Sequence, residues 1–138
     1  MAGFGAFAVP PDADEEFLAA WREDGHPGAT LYRALRPDEP FRFVELAPEG
    51  PYEVLSEDGE PEGDAGVLLI ARLAPSERET WERLRASFAP QRGYLGARLL
   101  AGDELVAIVR WSSPLMYARA LRRTGTQPPG RPALYLAQ

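Results

Sequence analysis

Residues 106–121, VAIVRWSSPLMYARAL, place an indole and a phenol close together in the chain. Trp111 ends an apolar run that is typical of a buried strand, and Tyr117 follows within a helical pattern. Two interpretations stay open at this point. The two rings either fill an apolar core, or they line a pocket that binds a hydrophobic or aromatic small molecule.

Two arginines and a further tyrosine complete the candidate substrate-binding residues. Arg110 directly precedes Trp111, and Tyr94 and Arg98 lie on the strand predicted beside it. A guanidinium in the pocket would bind an anionic or phenolate oxygen, whereas the alternative is that both arginines are surface residues with snorkelling stems. The candidates are therefore Trp111, Tyr117, Arg98, Arg110 and Tyr94, and no catalytic residue is identified.

The composition excludes several other kinds of chemistry. The 138 residues include no cysteine and no lysine, so a thiolate ligand, a thiol nucleophile and a Schiff base are all excluded. His26 is the one histidine and has no second histidine or cysteine to share a zinc ion, so we expect a surface histidine, no metal and no cofactor. No phosphate-binding glycine motif or hydrolase serine motif occurs.

The charge and hydropathy patterns limit the partners. A net charge of -6 opposes binding to nucleic acid, because such binding depends on cationic side chains. The longest apolar run, VLLIA, is too short to span a bilayer, and the first residues do not form a secretory signal. We therefore expect a cytoplasmic protein without nucleic-acid or membrane partners.

The elements that position the candidate residues follow a repeated order. Residues 64–138 contain a buried strand (GVLLIARLA), a helix (PSERETWERLRASFA), a hairpin (GYLGARLL and ELVAIVRW), a second helix and a closing strand (PALYLA). Ser76 and Glu79 have capping-box spacing in the first helix. Ser113 and Pro114 predict the start of the second helix, and Gly125 predicts its end.

The same order appears in residues 1–60, with one element missing. The strand FGAFAV is followed by the helix DADEEFLAAWRED, the hairpin GATLYRAL and FRFVELA, and the closing strand PYEVLS. Too few residues separate the last two strands for a second helix. Residues 57–66, EDGEPEGDAG, have no large apolar side chain and predict a solvated linker between the halves.

Each half is a ferredoxin-like unit whose antiparallel sheet has helices on one face only. The bare face must be covered, and the sheet of the other half is the obvious cover. We therefore predict an α+β fold in which tandem ferredoxin-like halves form a pseudo-dimeric α/β barrel within one chain. The protein would be a monomer or a weak homodimer, with its candidate pocket in the second half.

The second half resembles the antibiotic biosynthesis monooxygenase family of the dimeric α/β barrel superfamily. The resemblance lies in GYLGARLL, VAIVRW, SSPLMYARAL and PALYLA, and the first half matches more weakly through PGATLYRAL and FRFVELA. It implies oxidation of an aromatic substrate by molecular oxygen without metal or flavin. It also implies that Trp111 and Tyr117 stand where this family has a pocket tryptophan and tyrosine.

The sequence departs from the family at three polar positions. Leu99, Leu100 and Ala107 occupy the places where the resembled subgroup has tyrosine, histidine and asparagine. The haem-degrading relatives need an asparagine, and this chain has none, so we set that branch aside. Two functions remain: a cofactor-independent monooxygenase-like enzyme that binds a hydrophobic or aromatic molecule, and a non-catalytic binding or structural barrel protein.

Overall fold

The computed structural model of the chain describes residues 1–63, 65–125 and 127–138. These residues form seven strands and three α-helices. The strands are β1 (Ala2–Phe7), β2 (Thr30–Ala34), β3 (Phe43–Gly59), β4 (Val67–Leu73), β5 (Tyr94–Ala101), β6 (Leu105–Trp111) and β7 (Ala133–Ala137), and the helices are α1 (Asp14–Asp24), α2 (Arg78–Phe88) and α3 (Pro114–Thr124). None of these helices is long and apolar enough to cross a membrane.

All seven strands belong to one antiparallel sheet with the order β1-β3-β2-β7-β4-β6-β5. The first part of β3 pairs with β1 and β2, and its last part pairs with β5. The order β7-β4-β6-β5, with α2 after β4 and α3 after β6, is the ferredoxin-like arrangement. The α+β prediction with an antiparallel sheet is therefore confirmed.

β3 replaces the two separate strands that the sequence predicts over FRFVELA and PYEVLS. Its ladder with β1 is interrupted between Ala47 and Tyr52. Pro48 and Pro51 lie in this interruption, because proline has no backbone N–H to donate to a ladder. The chain then continues in the extended conformation to Gly59.

Side chains of the sheet pack into separate clusters because successive residues of a strand point to opposite faces. One face of β4, β5 and β6 packs against α2 and α3 in what we call the roof cluster, whose buried members include Leu69, Trp81, Leu84, Phe88, Val109 and Trp111. The opposite face forms the inner cluster, drawn from all seven strands, whose members include Tyr32, Val44, Leu46, Ile70, Val106 and Ile108. Helix α1 covers the smaller N-terminal cluster of Leu18, Leu31 and Phe43.

Candidate functional site

Trp111 lies within the roof cluster, at the end of β6, and its side chain is 0% exposed. Three aromatic rings surround the indole, with centroid distances of 5.3 Å to Phe88, 5.7 Å to Tyr94 and 5.8 Å to Tyr117. Phe88 and Tyr94 meet it edge-on, which is a favourable geometry for aromatic pairs. The structure thus brings together three of the five candidate residues.

The indole N–H of Trp111 is buried and has no hydrogen-bond partner among residues 1–63, 65–125 and 127–138. A buried donor without an acceptor costs about 1–3 kcal/mol. Most buried polar groups in folded proteins are paired, so an unpaired donor at the centre of an aromatic cluster is unusual. An acceptor oxygen on a bound molecule would satisfy it.

Helix α3 holds Tyr117 beside the indole, and its predicted start and end are confirmed. The Ser113 hydroxyl accepts a hydrogen bond from the backbone N–H of Met116 at 3.2 Å, and Pro114 is the first helical residue. Gly125 ends the helix with a left-handed φ of 64°. These local signals fix the phase of the helix, which turns Tyr117 toward the sheet, where it is 9% exposed.

Burial raises the pKa of the Tyr117 hydroxyl from 10.0 to about 12. Above about pH 10 the unfolded chain releases this proton while the folded chain keeps it, so stability falls as the pH rises toward about 12. We expect Tyr117→Phe to lose less stability than the wild type over this interval. Urea unfolding at pH 9 and pH 11 measures the difference, and an equal loss in both proteins would contradict the assignment.

Tyr94 is fixed by a polar network at the edge of the roof cluster. Its hydroxyl donates to Asp58 Oδ1 at 2.7 Å, and the backbone N–H of Ala97 donates to the same oxygen at 3.0 Å. The guanidinium of Arg85 pairs with the other carboxylate oxygen. Burial, together with the hydrogen bond to Asp58, raises the pKa of Tyr94 far above its usual value. Asp58 therefore ties β3 to β5 and α2.

Asp58 lies in the solvated linker predicted over residues 57–66, and that prediction is wrong for the first three residues. β3 continues to Gly59, and Glu57 pairs in register with Arg98 of β5. Opposite charges facing each other across two strands stabilise such a pairing. Both charges can be read from the sequence, but they indicate a strand pairing only when the two strands are already known to be neighbours.

Arg110 points away from the aromatic rings, because neighbouring residues of a strand face opposite sides of the sheet. It is 8% exposed, so it is not the surface residue of the alternative interpretation. Its guanidinium donates to the backbone carbonyl oxygens of Ala65, Glu60 and Glu62 at 3.0, 3.2 and 3.3 Å. Arg110 thus holds the connection between β3 and β4, and its side chain lies on the other face of the sheet from the indole of Trp111.

Arg98 also lies on the face opposite the roof cluster. Its neighbours in β5, Ala97 and Leu99, are buried in the roof cluster, so the side chain between them points the other way. It forms ion pairs with Glu57, at 2.9 Å, and with Glu62. The expectation that Arg98 or Arg110 reaches an oxygen beside Trp111 is therefore not met, since both guanidiniums have partners on the other face.

The positions of the family's polar residues are apolar and buried here. Leu99 and Ala107 are 1% and 0% exposed in the roof cluster, and Leu100 belongs to the inner cluster. These side chains offer no proton acceptor or donor to a ligand. Among the described residues beside the aromatic rings, the carboxylate of Asp58 is the group that could act as a base.

A cleft of about 230 Å³ opens beside the roof cluster, at the end of α2 and along α3. Met116 and Ala120 line it and also pack in the roof cluster. Arg92, Arg119 and Arg123 line it from exposed positions. Within the described ranges these three guanidiniums have no ion pair or hydrogen bond. The sequence alone does not identify them, because the cleft forms only where α3 packs beside the turn that follows α2.

His26 differs from the surface histidine that the sequence analysis expected. Its ring stacks on Trp21 at 4.5 Å, and its Nδ1 lies 2.9 Å from Glu45 Oε1. The indole N–H of Trp21 donates to the same oxygen at 3.1 Å. The tryptophan of the first half therefore has the acceptor that Trp111 lacks.

Solved structures of other proteins share this fold. No family model and no curated protein matches the sequence. A monooxygenase-like protein from Listeria innocua superposes with a TM-score of 0.61 at 12% identity, over 99% of this chain and 92% of its own. A ferredoxin-fold protein related to antibiotic biosynthesis monooxygenases, from Listeria monocytogenes, gives 0.59 at 15% identity, over 99% and 93%.

The chain has the ferredoxin-like fold of these monooxygenase-related proteins. A heme-degrading enzyme from Listeria monocytogenes shares it too, with a TM-score of 0.55 at 14% identity over 100% of this chain and 98% of its own. The predicted resemblance is therefore confirmed at the level of the fold. The chemistry has to be argued from the residues of the roof cluster.

Proposed function

We propose that residues 1–60 and 64–138 form a pseudo-dimeric α/β barrel. Two strand pairings support this arrangement: β2 with β7, and the last part of β3 with β5. In each of them, the closing strand of one half pairs with the second strand of the other. The inner cluster would then fill the space between the two sheets. Because one chain supplies both halves, we propose that the protein acts as a monomer or a weak homodimer.

We propose that the roof cluster binds a hydrophobic, aromatic small molecule and that the protein serves as a binding protein. The observation that carries this proposal is the buried, unpaired indole N–H of Trp111 amid three aromatic rings. An aromatic ligand would pack against the rings, and an oxygen on it would accept the indole hydrogen. The apolar side chains at the family's polar positions support binding over catalysis.

The cleft along α3, next to the turn that follows α2, is the entrance that we assign to this ligand. Met116 lines the cleft and packs against the roof cluster, and a methionine side chain changes rotamer readily. Its displacement would therefore open a path without moving a helix. The three unpaired arginines of the cleft favour a ligand that carries a phenolate or another anionic oxygen.

We propose that, of the two helix-covered sides of the sheet, the one in the second half holds the pocket and the one in the first half does not. In the N-terminal cluster, Phe17 stacks on Phe43 at 4.6 Å and contacts Phe7 at 5.3 Å. Helix α1 alone covers this side of the sheet, and the indole N–H of Trp21 is already bonded to Glu45. We propose that the first half takes the place of a second subunit and binds no ligand of its own.

Calorimetric titration with hydroxylated polycyclic aromatics tests the site. We expect one equivalent to bind, and Trp111→Phe to weaken binding about tenfold, because phenylalanine keeps an apolar ring but loses the indole donor. Trp21→Phe is the matched control and should leave the affinity unchanged. Equal affinities of the wild type and Trp111→Phe would refute the site, and a second equivalent whose binding Trp21→Phe weakens would refute the single pocket under the helices.

A second candidate function is cofactor-independent oxidation of the bound phenol. It is favoured by the hydrogen bond between Tyr94 and Asp58 beside Trp111. A phenol that displaced the Tyr94 hydroxyl would give its proton to Asp58, as in general base catalysis. Oxygen uptake is measured with the phenols that bind, and uptake that Asp58→Asn abolishes would favour the enzyme. No uptake by a bound phenol would leave a binding protein.

A further inference from the structure

A second cavity, of about 300 Å³, lies on the other face of the sheet from Trp111. Its apolar lining comes from Phe4, Ala6, Val44, Ile70, Ala133 and Tyr135, and its polar lining comes from Glu39, Arg72 and Arg131. The volume is at the lower end of the range of small-molecule sites. We infer that this cavity binds a small aromatic zwitterion, a molecule of the class of the aromatic amino acids.

The floor of the cavity is preformed and apolar. Val44, Ile70 and Tyr135 are 1%, 3% and 5% exposed within the inner cluster. The Tyr135 hydroxyl already donates to the backbone oxygen of Phe41 at 2.8 Å. It therefore presents its ring to the cavity, and a ligand that enters meets mainly aromatic and aliphatic carbon.

Arg72 forms part of the wall without supplying a free charge. Its guanidinium lies 4.7 Å from the ring centroid of Phe41 and 6.0 Å from that of Phe4. The carboxylate of Glu104 binds the same guanidinium at 2.6 Å and 2.7 Å. The positive charge of Arg72 is thus compensated, and the group acts as a planar cover over two aromatic rings.

The two remaining charges are uncompensated and opposite in sign. Glu39 comes from the loop between β2 and β3, and Arg131 comes from the loop between α3 and β7. Neither side chain forms an ion pair or hydrogen bond with any residue in the described ranges, including with each other. Their exposed neighbours Arg36 and Asp38, by contrast, are paired at 3.5 Å.

A ligand with an ammonium and a carboxylate complements this arrangement. The ammonium would bind Glu39 and the carboxylate would bind Arg131, both through charge-assisted hydrogen bonds. The aromatic ring would occupy the apolar floor. A ligand with only one of the two charges would leave either Glu39 or Arg131 without a partner. A neutral ligand would leave both side chains without a partner.

The test uses the full chain and three probes: L-phenylalanine, 3-phenylpropionate, which lacks the ammonium, and phenethylamine, which lacks the carboxylate. We expect L-phenylalanine to bind most tightly in calorimetric titration. Arg131→Gln should weaken L-phenylalanine and 3-phenylpropionate about tenfold and leave phenethylamine unchanged. Glu39→Gln should weaken L-phenylalanine and phenethylamine to a similar extent and leave 3-phenylpropionate unchanged.

Matched controls separate the site from a general charge effect. Arg122→Gln and Asp38→Asn make the same charge changes at exposed residues that do not line the cavity, so they should alter no affinity. Failure of all three probes to bind, or equal losses in the controls, would overturn the inference.

Discussion

Replacing Trp111 by alanine is expected to lower the free energy of unfolding by about 3–5 kcal/mol. The indole is fully buried between α2, α3 and the sheet, so alanine leaves a cavity among Phe88, Tyr94 and Tyr117. The edge-on aromatic contacts with the indole are lost as well. Urea unfolding followed by circular dichroism measures the change, and a loss below about 1 kcal/mol would show that the roof cluster is not a packed core.

Trp111→Phe distinguishes the packing role of this residue from its polar role. The smaller ring loses some contacts, but the substitution also removes the unpaired buried N–H, whose desolvation costs about 1–3 kcal/mol. We therefore expect Trp111→Phe to be far less destabilising than Trp111→Ala. A phenylalanine variant that is stable but fails to bind aromatic ligands would show that the residue both fills the core and recognises the ligand.

The elements of the second half could be predicted because their signals are local. The apolar run that ends at Trp111 and the Ser113, Pro114 and Gly125 signals of α3 depend on residues close together in the chain. Local sequence signals gave a wrong prediction for the start of α2. There a 3-10 helical turn over Pro75–Glu77 precedes the helix, and the backbone N–H of Ala74 donates to the Glu77 carboxylate.

The extent of β3 could not be predicted, because it depends on partners far along the chain. Residues 57–59, which extend β3 beyond the predicted strand PYEVLS, have no large apolar side chain and carry no alternation that identifies a strand. Their extended conformation comes from the ladder with β5 and from the bonds that Asp58 makes to Tyr94 and Ala97. Such contacts are visible only when the sheet has been assembled.

The candidate site could be predicted for the aromatic residues and not for the arginines. Helical phase and strand alternation place Tyr117 and Tyr94 on the same side of the sheet as Trp111. Arg110 is a candidate because it directly precedes Trp111, and Arg98 is a candidate because it lies on the strand predicted beside it. Adjacent residues of a strand face opposite sides, so alternation assigns Arg110 to the other side. For Arg98, alternation from Tyr94 predicts the face of Trp111, and the register shift between Tyr94 and Gly96 reverses it.

Arg110 binds Glu60, Glu62 and Ala65 in the connection between β3 and β4, and its replacement is expected to cause the second largest loss of stability. Arg110→Met keeps an apolar stem but leaves the carbonyl groups of Glu60, Glu62 and Ala65 without their donor. We expect a loss of about 2–3 kcal/mol, since hydrogen bonds from a charged donor contribute about 1.5–3 kcal/mol and solvent partly replaces these.

The control for this prediction is Arg98→Met on the neighbouring strand. Its ion pairs with Glu57 and Glu62 involve carboxylates that are 45% exposed, so its loss should cost below about 1 kcal/mol. The rate of cleavage by a protease that cuts after glutamate measures how readily the connection opens locally. Because the guanidinium of Arg110 fixes the backbone of the connection, cleavage after Glu60 and Glu62 should accelerate in Arg110→Met under conditions where the variant stays folded. Equal stability of the two variants, with unchanged cleavage, would show that the connection is held by other contacts.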